Sequence, residues 1–219
     1  MPSFRHELRG AESGALRVAG VDEVGRGPLA GPVVAAVAAI DRALAGRKLL
    51  RLIDDSKKLA PQEREAAFDA IVASGAVRFA LGEASVEEID RINILQATYL
   101  AMRRALQAMA EPPDLLLIDG NRVPPGLHCT AEAIVGGDAV SYSIAAASIV
   151  AKVTRDRHMR ALAATFPGYG WETNVGYGSE RHLLALERLG PTPHHRRSFA
   201  PVLRLLEPAG RPPADSTMA

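Results

Sequence analysis

Two adjacent acids, Asp22 and Glu23, sit inside an apolar run from Val18 to Val24. A turn follows them at once: Gly25-Arg26-Gly27-Pro28-Leu29-Ala30-Gly31-Pro32. A strand within a sheet does not normally carry neighbouring carboxylates, because burying even one without a partner costs several kcal/mol. A divalent cation is the obvious partner. The glycines let backbone N–H groups approach a ligand closely. Carboxylates that hold metal, beside a turn that can cradle a phosphate, point to chemistry on a phosphodiester.

Other residues could join them. Asp119 ends the apolar run Leu115-Leu116-Leu117-Ile118 and precedes Gly120. Ligands gather at strand ends in α/β sheets, so Asp119 would lie near Asp22 if the two strands are neighbours. Asp138 follows Gly136-Gly137 shortly before a helix and could complete a four-carboxylate group. Taken alone, Asp119 and Asp138 read as turn formers or helix caps. Oxygen-only ligands favour Mg²⁺ or Mn²⁺ over zinc, and neither Cys129 nor the histidines show zinc spacing.

Ser148, Lys152 and Asp156 recur every four residues, on one helix flank. Lys152 could meet a phosphate, with Ser148 one turn before it; the alternative is a surface Lys152–Asp156 pair. Tyr177, between Gly176 and Gly178, would present its ring on an accessible loop, to stack on a sugar or base or to serve the fold. His194-His195-Arg196-Arg197 reads either as a grip on a phosphate backbone or as a solvated basic face. Trp171 reads as packing and Cys129 as a small buried apolar residue.

These residues need a scaffold. Leu16–Val24 and Val33–Ile40 read as strands forming a hairpin around the glycine turn. Pro61 opens a helix to Ser74, behind Ala60 as a poor cap. Val77–Glu83 reads as a strand. Ser85 with Glu88 forms a capping-box pattern that opens a helix to about Met109. Leu115–Ile118 reads as a strand covered on both faces, and Leu127–Val135 as a shorter one. Helices are expected over Ser143–Phe166, Ser179–Leu189 and Phe199–Leu206. The sum is an α/β layer with a mixed sheet. The expected organisation is a flexible N-terminus over 1–14, a catalytic domain over 15–175, a helical C-terminal extension over 176–207 and a disordered tail over 208–219.

The 219 residues are 47% hydrophobic and 23% charged, enough for a substantial core. A net charge of +1 gives no global field for a polyanion, so any nucleic-acid site must be a local patch. One cysteine excludes an intramolecular disulfide and fits a reducing compartment. The first fifteen residues lack the apolar core of a secretory signal, and the longest apolar stretch, Val33–Ile40, is too short to span a bilayer. A cytoplasmic protein without membrane attachment is expected.

The segment Val21-Asp22-Glu23-Val24-Gly25-Arg26-Gly27-Pro28-Leu29-Ala30-Gly31-Pro32 resembles the signature of the type 2 ribonuclease H family in its bacterial form, ribonuclease HII. Further matches follow in the same order: Asp55-Ser56-Lys57-Lys58-Leu59, Ile92-Asn93-Ile94-Leu95, Ile118-Asp119-Gly120-Asn121, Ala145 to Asp156, Gly176-Tyr177-Gly178, and His195 to Val202. The resemblance implies a ribonuclease H-like fold, a mixed central sheet flanked by helices, with a small helical C-terminal extension. It implies that Asp22, Glu23, Asp119 and Asp138 hold two Mn²⁺ or Mg²⁺ ions, about 4 Å apart, for hydrolysis. Gly25, Arg26 and Gly27 would contact the ribonucleotide and read its 2′-OH, with Tyr177 stacking on the deoxyribose past the RNA–DNA junction. Ser148, Lys152, Arg196 and Arg197 would serve the substrate backbone.

The implied substrates are RNA–DNA hybrids and junction duplexes, cut to 5′-phosphate and 3′-hydroxyl ends by a monomer. Gly136 stands where the family commonly has lysine, and Ala60 and Ser179 where it has threonine. A hybrid-binding module without activity and a junction-resolving nuclease are the competing classes.

Overall fold

The computed structural model describes residues 1–206. In chain order the elements are α1 (Arg5–Glu12), β1 (Val18–Val24), β2 (Val33–Ile40), α2 (Arg47–Leu52), α3 (Pro61–Ala73), β3 (Val77–Ala84), α4 (Val86–Gln107), β4 (Leu115–Asp119) and β5 (Thr130–Ile134). A short 3-10 turn (Gly137–Ala139) leads into α5 (Tyr142–Thr165), and α6 (Trp171–Asn174), α7 (Glu180–Leu189) and α8 (Ala200–Leu206) close the described chain. The tail expected to be disordered lies outside the described residues.

The five strands form one mixed sheet in the order β3-β2-β1-β4-β5. β1 runs antiparallel to β2, as the hairpin reading expects, and parallel to β4; β2–β3 is antiparallel and β4–β5 parallel. One face packs against α4, through Ala19, Val21, Ala35 and Val37. The other packs against α5, through Ala36 and Ala38. Small residues bring both helices close. A Cβ on Gly20 would collide with the α5 backbone at Ser143 and Ile144, and one on Gly82 with the α4 backbone at Ala101 and Ala105.

Three local departures from the sequence reading have physical causes. Residues 5–12 are helical rather than flexible. Glu7 is buried there and accepts from Ser141 Oγ at 2.7 Å and from the Ser143 N–H at 2.9 Å, so a carboxylate from the far end of the chain caps α5. The long helix α4 is broken at Asn93, whose φ of 66° takes it out of the helix. Its Oδ1 then accepts from the N–H groups of Leu95 and Gln96, capping the second half. The short helices α2 and α6 carry too few turns to leave a periodic signal. Ala60 offers no side-chain cap, yet Glu63 Oε2 accepts from the Ala60 N–H at 2.8 Å.

Beyond α5 the chain folds back onto the glycine turn. Leu29 and Ala30 share a core with Met159, Trp171, Ala185, Leu186 and Val202. Among the described residues no helix is long and apolar enough to cross a membrane.

Candidate active site

The ladder between β1 and β4 pairs Val18 with Leu115 and ends with Val21 against Ile118. The next residue in each strand is an aspartate, Asp22 and Asp119. Parallel pairing therefore brings both carboxylates to one edge. Side chains alternate across a sheet, so Asp22 shares a face with Gly20, and Asp119 with Leu117. Gly20 and Leu117 both lie against Ile144 of α5. The 3-10 turn supplies the third acid: the Gly137 N–H donates to Asp119 Oδ1 at 2.7 Å, which places Asp138 beside it. Asp22, Asp119 and Asp138 each offer an oxygen within 4.8 Å of the others.

Glu23, the fourth expected acid, stands just outside the set whose oxygens lie within 4.8 Å of one another. As the neighbour of Asp22 on a strand it faces the opposite side, toward α4. It borders a cleft with Leu95, Thr98, Tyr99, Met102 and Asn121, and Arg26 Nη1 donates to its Oε1 at 3.1 Å. It flanks the cluster, and Asp119 lines the same cleft.

The cluster carries excess negative charge. Burial pushes Asp22 well above the usual carboxylate range, and Glu23 and Asp119 push the same way; bonds from Ser148 and the Glu23 N–H pull back. Burial raises Glu23 despite the attraction of Arg26. Burial, and then Asp138, raise Asp119. One ammonium answers them: Lys57 Nζ donates to Asp138 Oδ2 at 2.9 Å, and this bond raises Lys57 above its ordinary range. Crowded carboxylates with oxygen donors only and a charge excess suit hard divalent cations such as Mg²⁺ or Mn²⁺. Sequence reasoning gave Lys57 no role, and nothing local distinguishes it from Lys58.

The other sequence-predicted residues divide. Ser148 is buried and shares a 2.8 Å hydrogen bond with Ser56, so its hydroxyl does not face solvent; it pulls Asp22 down against the effect of burial. Lys152 donates to Asp156 at 2.7 and 2.9 Å, in a pair that is largely buried rather than on the surface. Arg196 is fully buried, which corrects its reading as a grip on the substrate backbone. It donates to the carbonyls of Gly25, Arg26 and Gly31, stapling the turn from inside. Arg155, equally buried and unassigned from sequence, donates to the carbonyls of Ala30, Pro32 and Val175. A Cβ on Gly25, at φ 95°, would run into the Arg155 side chain. Arg197 is exposed, and its N–H donates to Asp90 Oδ2 at 2.9 Å.

Tyr177 is 46% exposed beside this turn. The Leu29 N–H donates to the Gly176 carbonyl at 2.7 Å, so the tyrosine loop and the glycine turn form one unit. Trp171 is buried, as expected of packing, and Cys129 is only partly so.

A mixed sheet in this order, with aspartates at the ends of two adjacent parallel strands, defines a nuclease-type α/β protein of the ribonuclease H class. The solved ribonuclease H2 from Pyrococcus horikoshii OT3 superposes with a TM-score of 0.71 and 29% identity, over 87% of this chain and 97% of that one. The family described as Ribonuclease HII matches residues 19–202. Ribonuclease HII of Rhodospirillum rubrum is 62% identical over 90% of this chain and 89% of its own. Ribonuclease HII of Paramagnetospirillum magneticum is 59% identical over 86% of this chain and 92% of its own. The chain belongs to the ribonuclease HII family and is a ribonuclease H endonuclease.

Proposed function

We propose that this ribonuclease cuts the RNA strand of RNA–DNA hybrids and incises at single ribonucleotides within duplex DNA, leaving 5′-phosphate and 3′-hydroxyl ends. The observation that carries this reading is the convergence of Asp22, Asp119 and Asp138 within 4.8 Å, next to a glycine turn and an exposed tyrosine.

Asp22, Asp119 and Asp138 would hold the divalent ions, with Glu23 contributing from the other face of β1. Bound Mg²⁺ or Mn²⁺ supplies Lewis-acid stabilisation and an activated water. The chain's own residues do the selecting. Arg196 draws the Gly25 and Arg26 carbonyls inward, and the N–H groups of Arg26 and Gly27 make no hydrogen bond among the described residues. Those N–H groups are available to a ribose 2′-OH, the sugar group that separates RNA from DNA. The Tyr177 ring offers a flat face for the adjoining deoxyribose. Arg26 and Arg197, both exposed, would hold backbone phosphates. The reaction belongs to a cytoplasmic protein without membrane attachment.

The decisive experiment is cleavage of a duplex carrying one ribonucleotide, in Mg²⁺ and in Mn²⁺, with the cut mapped. Incision at the ribonucleotide, none in an all-DNA duplex, and loss in Asp119→Asn are expected. Wild-type cutting by Asp119→Asn, equal cutting of a four-way DNA junction, or binding without cutting overturns the reading.

A further inference from the structure

Beneath the Tyr177 loop, three buried rings form a hydrogen-bonded chain with a single self-consistent assignment of protons. The Thr192 N–H can only donate, and it reaches His195 Nδ1 at 2.9 Å. That nitrogen is therefore the acceptor, and the His195 proton sits on Nε2. His195 Nε2–H points at His182 Nε2, 3.1 Å away. Trp171 Nε1–H donates to the same His182 nitrogen at 3.0 Å. His182 must then carry its proton on Nδ1, which donates to the Tyr177 carbonyl at 2.8 Å. Burial pushes both imidazoles below their ordinary range, His195 down to about 3.

The loop that receives this bond is held in an unfavourable backbone conformation. Val175 has a φ of 43°, a left-handed value rare for a β-branched residue. Such geometry persists only when its surroundings over-determine it. Arg155 Nη1 holds the Val175 carbonyl at 2.9 Å, and the Ser179 N–H reaches the Tyr177 carbonyl at 2.8 Å. Apolar side chains would fill this core without a network of donors. A fully satisfied buried network instead specifies one arrangement of the backbone above it.

We propose that His182 is a positioning residue for ribonucleotide discrimination: its Nδ1–H, oriented by Trp171 and His195, fixes the Tyr177 backbone so that the phenol ring stays over Gly27. This rests on the reading of Gly27 and Tyr177 as the sugar-sensing pair.

Two substitutions separate positioning from packing. His182→Asn keeps an amide donor where Nδ1–H stands and loses the Nε2 acceptor. His182→Gln keeps a polar atom toward Trp171 and His195 and loses the donor to Tyr177. The readout is the ratio of kcat/KM on a duplex with one ribonucleotide to kcat/KM on a continuous RNA–DNA hybrid. His182→Gln is expected to lower this ratio about tenfold, the worth of one lost hydrogen bond, with His182→Asn recovering most of it. Tyr177→Ala is expected to lower it as much, and His182→Gln added to Tyr177→Ala to change it no further.

A ratio unchanged by both His182 variants, or a better recovery with His182→Gln than with His182→Asn, overturns the proposal. If Tyr177→Ala shifts the ratio in that case, the sugar-sensing reading survives. An unchanged ratio in Tyr177→Ala brings down both. Should neither His182 variant fold, Trp171→Phe removes the donor to Nε2 together with part of a buried ring, so it is read beside its melting temperature. A lowered ratio there supports the proposal and an unchanged one overturns it.

Discussion

The ring of Tyr177 lies against Gly27: a Cβ placed on Gly27 would meet Tyr177 Cε1 at 3.4 Å, ordinary van der Waals contact. Residues far apart in the chain thus form the two walls of one small surface. The contact leaves room for a methyl group. Gly27→Ala is expected to change stability by no more than about 0.5 kcal/mol. Incision at a single ribonucleotide should nevertheless fall about tenfold or more, because the methyl enters the space the sugar would use. Gly25→Ala should do the reverse in origin: at φ 95°, with Arg155 behind it, the new Cβ costs about 2 kcal/mol or more of stability. Thermal melts beside cleavage rates separate the two.

Arg196 and Arg197 are neighbours in sequence and opposites in consequence. Arg196→Ala strands the carbonyls of Gly25, Arg26 and Gly31 and is expected to cost about 3 kcal/mol of stability. Arg197→Gln should leave the melting temperature within error. It should weaken hybrid binding and lower the slope of log K against log salt by about one. A titration of binding against salt for Arg197→Gln and Arg26→Gln, and a melt for Arg196→Ala, check both halves.

The acid cluster makes metal and stability interdependent. Mn²⁺ added to the protein alone should raise its melting temperature, since the ion binds the folded state and neutralises the carboxylates there. Asp119→Asn removes one of the crowded charges, so it should hold or raise stability in EDTA, abolish the Mn²⁺-induced rise and cut cleavage about 100-fold or more. Lys57 already neutralises Asp138. Lys57→Met should therefore tighten Mn²⁺ binding measured by calorimetry and lower the melting temperature in EDTA.

The buried histidines give stability a pH dependence of definite sign. His195 is depressed from 6.5 to about 3 in the fold, so the unfolded chain binds its proton first. Stability from this site is complete above the unfolded value and is lost as pH falls from 6.5 toward about 3. The raised acids Asp22, Glu23 and Asp119 act in the opposite direction, since the folded chain holds their protons more tightly. Comparison of the wild type with His195→Gln cancels the acids. The stability advantage of the wild type should shrink as pH drops from about 7 to about 5, by melts in one buffer series.

Much of this was legible because it is local. The alternation and apolar runs of Val18–Val24, Val33–Ile40 and Leu115–Ile118 mark strands through contacts within the segment, and Ser85 with Glu88 marks a helix start through bonds three residues apart. Two acids inside the first of those runs announce a cation site for the same reason: their cost of burial depends on their own chemistry. Asn93 was harder, since a helical pattern on both sides of it conceals a break that only its own Oδ1 repairs.

The sequence by itself determined the elements, the acidic character of the site and the glycine turn, all properties of residues and near neighbours. Tertiary structure alone decided which acids meet, because strand order and face do that: parallel pairing joins Asp22 to Asp119, while alternation turns Glu23 to the far side. It also decided that Arg196 is an internal staple rather than a surface charge, through a bond to Gly25 spanning 171 positions, and that Glu7 anchors the N-terminus across 134. A charged side chain looks the same in sequence whether its partner is water or a buried carbonyl, and only the fold brings that carbonyl within reach.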